Sequence, residues 1–340
     1  MKHRYVALIA AGSSLLAAGL FVSAAGFYVQ QNKQEISDAV LVASFTPTAT
    51  DKEQVKRSAM SKAGAYLYYA SRPVVLEKAD FNRTCSLVTT DTSILGCYLE
   101  YDKHIVLYHQ TDKRLDGSEE VMAAHEMLRA AWDRMPAAER AKLVVALDKV
   151  LATNDDKNLA LKARMKAIRQ DDAADANAEL YAMVGTEVPD LGASLEANYA
   201  RFFTKRATVT KLAAYARAYV VALTNQIDDF ADDLDYKSKD IDGRISSFDK
   251  AVKAWNAAVD SFNRRASEIG GFASEGQFNS QRAALLARQK SLTGTQKSIN
   301  SEIDDFNSQL KQLKSLMKTA QGIVSSLNIE LTPFSQLQDV

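Results

Sequence analysis

His125 and Glu126 open a short string, His-Glu-Met-Leu-Arg, that closes on Arg129. Positions four apart on a helix share a face, so a His-Glu-x-x-His string aims two imidazoles at one Zn²⁺. The Glu between them polarises the metal-bound water. Here the second ligand position holds Arg129. A guanidinium keeps its proton in a protein, so it repels a divalent cation that a histidine would bind. Beyond His3 the chain offers only two further histidines, His104 and His109, at opposite parity on a strand-like segment. At most one of them can face the helix. No Gly-rich phosphate loop and no Ser–His or Cys–His nucleophile pair stands out, and the acidic stretch Asp228, Asp229, Asp232, Asp233, Asp235 lacks the glycine and spacing of a calcium loop.

The elements around the motif follow from pattern. Gly117 precedes Ser118-Glu-Glu, acidic residues suited to a helix N-terminus, and the helix is expected to run through His125 to Met135. Pro136 can begin the next, to about residue 152, with others at about 157–169, 174–184 and 190–203 and a loop at Gly185-Thr-Glu-Val-Pro-Asp190. Upstream, residues 33–50 read as a polar segment with some helical character. A helix is expected from Asp51 to Ala70, stopping before Arg72-Pro73. Residues 73–110 are the strand-like part. Pro73 to Leu76 is one candidate, and 93–100 with 104–109 flank the turn Tyr101-Asp102-Lys103 as a β-hairpin. Tyr66, Tyr68 and Tyr69 read as core.

Past Lys205 the character changes. Ile241, Ile245, Phe248, Val252, Trp255, Val259 and Phe262 alternate four- and three-residue steps, as do Ile299, Ile303, Phe306, Leu310, Leu313 and Met317. Between them lies the Gly-rich link from Gly270 to Gly276. That pattern predicts an antiparallel coiled-coil hairpin over 205–330. Lys311, Lys314 and Lys318 read as its solvent-facing charges. The expected fold is therefore mainly α with a small β-hairpin. With 42 basic against 42 acidic residues, the charge balance gives no reason to expect nucleic acid as a partner.

The N-terminus sets the compartment. Lys2, His3 and Arg4 precede an uncharged run from Tyr5 to Asn32, apolar through about Val29 and long enough to span a bilayer as a helix. Leading positive charge favours a cytoplasmic N-terminus and an exported remainder, a single-pass anchor over 1–32. Val22-Ser23-Ala24 also has the small-residue look of a signal-peptidase site, in which case the product is secreted. In an exported region Cys85 and Cys97, the only cysteines, are expected to form a disulfide.

Asp116-Gly117, Ala123-Ala-His-Glu-Met-Leu128, Glu179-Leu180, Gly185-Thr-Glu187 and Phe272-Ala-Ser274 carry a wider likeness. From about Arg72 to Leu327 the chain resembles membrane-anchored, exported bacterial proteins of the gluzincin-like (HExxH) metallopeptidase type that continue into a long helical pair. The resemblance implies a zincin-like α+β domain over 73–204, behind a juxtamembrane helical segment 33–72. It implies His125 as metal ligand, Glu126 as general base and Glu179 as third ligand, with an edge strand over the motif helix that can pair with an extended peptide. The sequence departs from that pattern at Arg129 and at Tyr181, where the family has histidines, and Tyr181 is expected to pack in the former site, with a weak oxygen ligand as the alternative. Two ligands, His125 and Glu179, fall short of the three or more a zinc normally has. The expectation is a vestigial site without zinc in which Arg129 forms a bidentate fork with Glu179, with Glu126 as a second partner, and a pseudoenzyme acting as a cell-envelope interaction or scaffold protein. Its partners would be the membrane, and a protein or peptide bound by the coiled coil or the old substrate groove. The alternatives are an active zinc metallopeptidase with an unusual ligand set, and a purely structural coiled-coil envelope protein.

Overall fold

The computed structural model describes residues 33–85, 95–153, 159–170 and 173–326, so the apolar N-terminal run and its expected anchor lie outside the described residues. Among the described residues no helix is long and apolar enough to cross a membrane. The protein is mainly helical, with a small three-stranded sheet and a long C-terminal helical region. It divides into two compact units, one running to residue 219 and taking in the chain again from 324, the other spanning 220–323.

The first unit begins with α1 (Lys33–Ser44), α2 (Ala49–Arg57) and α3 (Lys62–Ala70). Thr48 and Asp51 form a reciprocal capping box at the start of α2, 3.1 and 2.7 Å. The single helix expected from Asp51 to Ala70 is broken. Ala59 takes a left-handed φ of 55°, Met60 bridges to Phe203, and Ser61 N–H donates to the Phe202 carbonyl at 2.7 Å. Ser61 then caps α3 through Gly64 N–H, and a side chain at Gly64 would collide with the Phe202 carbonyl. A long-range backbone contact thus overrides a locally helical sequence.

The hairpin forms as read: β2 (Gly96–Leu99) runs antiparallel to β3 (His104–Tyr108), with Lys103 at φ 58° in the turn. β1 (Val74–Leu76) joins β3 on its other side in parallel, giving the order β1-β3-β2. The stretch between β1 and β2 is not all strand-like. It contains α4 (Lys78–Cys85), whose Phe81 and Cys85 bury against Cys97, Leu99 and Val106. The Cys85–Cys97 disulfide closes this small second core, with Cα atoms 5.9 Å apart.

α5 (Ser118–Arg134) is the axis of the main core, with Ala123, Ala124, Met127, Leu128, Ala130 and Ala131 all shielded from solvent. Around it follow α6 (Ala137–Thr153), α7 (Leu159–Gln170), α8 (Ala173–Glu187) and α9 (Ala193–Tyr199). α8 continues through residues 185–187, which read as loop in the sequence. Gly185 passes so close to Leu128 and Tyr199 that a Cβ would lie 2.4 and 2.6 Å from them. The glycine is there for helix–helix contact, and the buried Thr186 hydroxyl is satisfied by donating to the Ala182 carbonyl at 2.9 Å.

α10 (Ala207–Ser267) and α11 (Glu275–Ser326) carry the second unit. Their antiparallel pairing shows in Lys237 with Gln309, Arg244 with Ser298 and Trp255 Nε1–H donating to the Leu285 carbonyl, at 2.7, 3.1 and 3.0 Å. The Gly-rich link is the turn, as the sequence predicts. Gly270 sits at φ 78°, Phe262, Phe272 and Phe278 cluster at 5.1–5.2 Å, and Ser274 caps α11. At 1.5 Å per residue the 52 residues of α11 span about 78 Å.

Candidate functional site

The motif helix is fixed at its start. Gly117 adopts φ 88°, a conformation that favours glycine, and a side chain there would also run into Leu212. Glu119 and Glu120 in the first turn suit the helix dipole and tie α5 to α2, through Gln54 to Glu119 and Arg57 to Glu120, both at 2.7 Å. One turn further, the His125 side chain points at α8.

There His125 Nε2 lies 3.1 Å from Glu179 Oε2. An ionised carboxylate only accepts, so Nε2 carries the proton of this bond. Arg129 Nη1 stands 3.7 Å from the same oxygen. That separation makes an ion pair but exceeds hydrogen-bond length. The bidentate fork expected between Arg129 and Glu179 is therefore replaced by a different arrangement. The histidine takes the hydrogen bond on Oε2, and the guanidinium stands behind it as a charge.

The electrostatics agree with this geometry. Burial disfavours an imidazolium at His125, but the facing Glu179 carboxylate and its hydrogen bond outweigh burial, and the pKa is raised above 6.5. Burial would likewise raise the Glu179 pKa. His125, then Arg129 and Arg164, overturn that and hold the carboxyl at about 2.

Glu126 is buried on the next face of α5. It packs under β2, where a Cβ on Gly96 would sit 3.0 Å from its Cγ and 3.1 Å from its Oε1. Gly96 lets the edge strand lie directly on the motif helix. A lone glycine inside a strand-like run is the signal that marks such an approach, one that a reading centred on the motif passes over.

Tyr181 goes elsewhere. Two residues from Glu179 on a helix, it points roughly 200° away. Its hydroxyl donates to Asn198 Oδ1 at 2.5 Å, and its ring packs on Trp132 and Tyr199 at 5.2 and 4.8 Å. The structure thus brings together His125, Arg129 and Glu179, sets Glu126 beside them under β2, and places Tyr181 in the aromatic core. His109 turns to Glu119 at 3.5 Å, and His104 is half-buried with its pKa lowered by burial. Glu187 ends α8 in ion pairs with Arg164 and Arg217.

A zinc ion is the group that the family resemblance implies. It would have to displace the Nε2 proton that holds Glu179. One imidazole and one carboxylate beside a guanidinium 3.7 Å away make a donor set that does not fit the ion. Among the described residues no group of three His, Cys, Asp or Glu side chains converges as a ligand set. What the arrangement does chemically is cross-link α5 and α8 by charge. Comparison of the chain with protein-family models, with curated proteins and with solved structures finds no match.

Proposed function

We propose that the chain is a pseudo-metallopeptidase: an exported, membrane-anchored protein that acts as an interaction or scaffold element of the cell envelope. In this reading Arg129 stands where a zinc ligand stood, and the helical hairpin or the groove beside β2 meets a protein or peptide partner. The observation that carries it is the guanidinium of Arg129, one helical turn from His125 and 3.7 Å from Glu179 Oε2. A positive group at that point supplies the charge a metal would, and the two helices stay linked without an ion. The disulfide between Cys85 and Cys97 fits an oxidising compartment.

The test is elemental analysis of the purified protein together with casein hydrolysis, using Glu126→Gln as control. The expected result is no stoichiometric zinc and no hydrolysis that depends on Glu126, with zinc uptake appearing in Arg129→His. Equimolar zinc in the unmodified protein would overturn the reading and favour an active peptidase.

A further inference from the structure

α1 carries apolar residues on two sides, with Leu41 and Val42 partly buried beside Asp38 and a second set facing out. Its one buried residue is charged: Asp38 faces the domain and takes both arms of Arg134, Nε to Oδ2 and Nη2 to Oδ1, each at 2.8 Å. Gln34 adds a third bond to the same carboxylate at 3.0 Å. Arg134 also reaches the Tyr98 hydroxyl at 2.9 Å, and that hydroxyl donates to Asp133, so α1 is fastened to the motif helix and to β2. On the opposite side of α1 lie Ile36, Ala39, Val40 and Ala43, all exposed, with Ile36 at 40% and Val40 at 63%. At 100° per residue these four cover one arc of about 100°, centred across the helix from Asp38.

A contiguous apolar stripe exposed on a helix that is fastened by its polar side is a contact face in search of an apolar neighbour. The chain itself indicates which. Only Gln30, Gln31 and Asn32 separate Lys33 from the apolar run that ends at Val29. The four Cα steps from Val29 to Lys33 reach at most about 14 Å, so α1 starts close to the surface of whatever seats that run.

We propose that the Ile36–Ala43 face of α1 rests in the interfacial layer of the bilayer that holds the N-terminal run. The Asp38–Arg134 clamp then sets the orientation of the domain on that surface. The inference rests on the membrane-anchoring reading above and adds a fixed docking face to it. An interfacial helix needs an apolar stripe on the lipid side and polar fastening on the other, and α1 has both.

The full chain carrying Val40→Cys is labelled with an environment-sensitive thiol fluorophore. It is reconstituted into vesicles of phosphatidylethanolamine and phosphatidylglycerol containing a lipid with a shallow nitroxide quencher. Cys85 and Cys97 are joined and take no label. Val145→Cys serves as control, since Val145 is 71% exposed on α6 and outside the stripe. Because an interfacial helix sinks its apolar face roughly 5–10 Å into the headgroup boundary, the label at 40 should lose about half its emission to the quencher while that at 145 is unchanged. Quenching of a label at Ala18→Cys but not at position 40 overturns the docking face and leaves the anchor intact. Loss of quenching at both positions, with the protein failing to float with the vesicles, removes the anchor and the inference together. Self-quenching between labels at position 40 without lipid quenching assigns the stripe to a second copy and also overturns the proposal.

Discussion

Replacing Glu179 by Gln tests the charge cross-link between α5 and α8 directly. The substitution keeps the shape of the side chain and removes its charge. A carboxyl held at about 2 rather than 4.5 corresponds to a nominal 3 kcal/mol or so at about 1.4 kcal/mol per pH unit. The Glu179 side chain is 31% exposed, so solvent screening reduces this to about 1–2 kcal/mol. The pH dependence has two limbs of opposite sign. Glu179 has a depressed pKa, so its contribution is present above about 4.5 and is lost as pH falls towards 2. His125 has a raised pKa, so its contribution is complete below about 6.5 and is lost as pH rises through the folded-state value. The stability gap between the parent and Glu179→Gln should therefore be widest between about pH 4.5 and 6.5. Urea unfolding followed by the fluorescence of Trp132, buried in the motif-helix core, reads this cleanly in a Trp255→Phe background. By NMR the His125 pKa should fall in the variant, since burial persists without the carboxylate. A gap that stays constant across the whole pH range, or an unmoved His125 titration, would refute the coupling.

Asp38→Ala strips a nearly buried, bidentate pair of one partner and should cost about 3 kcal/mol, measured by the same unfolding transition, because Arg134 loses its counter-charge. Gly185→Ala drives a methyl into Leu128 and Tyr199 and should cost about 1–3 kcal/mol, whereas Gly243→Ala, with open space around it, should be neutral or slightly stabilising. Removing the disulfide by Cys85→Ser with Cys97→Ser opens a loop of twelve residues and should lower stability by about 2–3 kcal/mol in chemical denaturation.

The helical hairpin was legible because its apolar period repeats without a break on both sides of a glycine-rich link. The β2–β3 pair was legible for a similar reason, being local. α4 was not: eight residues between strands give too short a window, and only Phe81 and Cys85, four apart, turn inward. The broken helix at Ala59 and the burial of Asp38 depend on partners 145 and 96 residues distant, Thr204 and Arg134, which local pattern cannot supply. At the site, the four-residue spacing put His125 and Arg129 on one face, whereas Glu179, 54 residues from His125, was an expectation of the resemblance alone. Tyr181 could have been set aside from spacing alone, because positions two apart on a helix cannot both face the same neighbour. The inversion at Glu179, with His125 making the hydrogen bond and Arg129 at ion-pair distance, is a matter of ångströms and belongs to packing.

Arg129→His has a consequence that does not depend on any metal being found. In the parent, His125 and Arg129 as cations face two carboxylates, Glu126 and Glu179, and both cations enter the Glu179 pKa. Substituting a histidine that is largely neutral above about pH 6.5 leaves the cluster with one positive charge too few. The metal-free variant should therefore be less stable than the parent by about 1–2 kcal/mol at neutral pH, and should recover part of that on mild acidification as the new imidazole protonates. If that imidazole completes a ligand set, zinc at a thousand times its dissociation constant should add back about 4 kcal/mol and raise the melting temperature. Calorimetry with and without zinc, at two pH values, separates the outcomes. A metal-free variant as stable as the parent would mean that Arg129 contributes no net charge stabilisation to the cluster. A destabilised variant with no response to zinc would mean that the charge matters and the geometry for a metal is gone. Only loss followed by zinc-dependent recovery would establish both that the position is electrostatically demanding and that a cation other than arginine once met the demand.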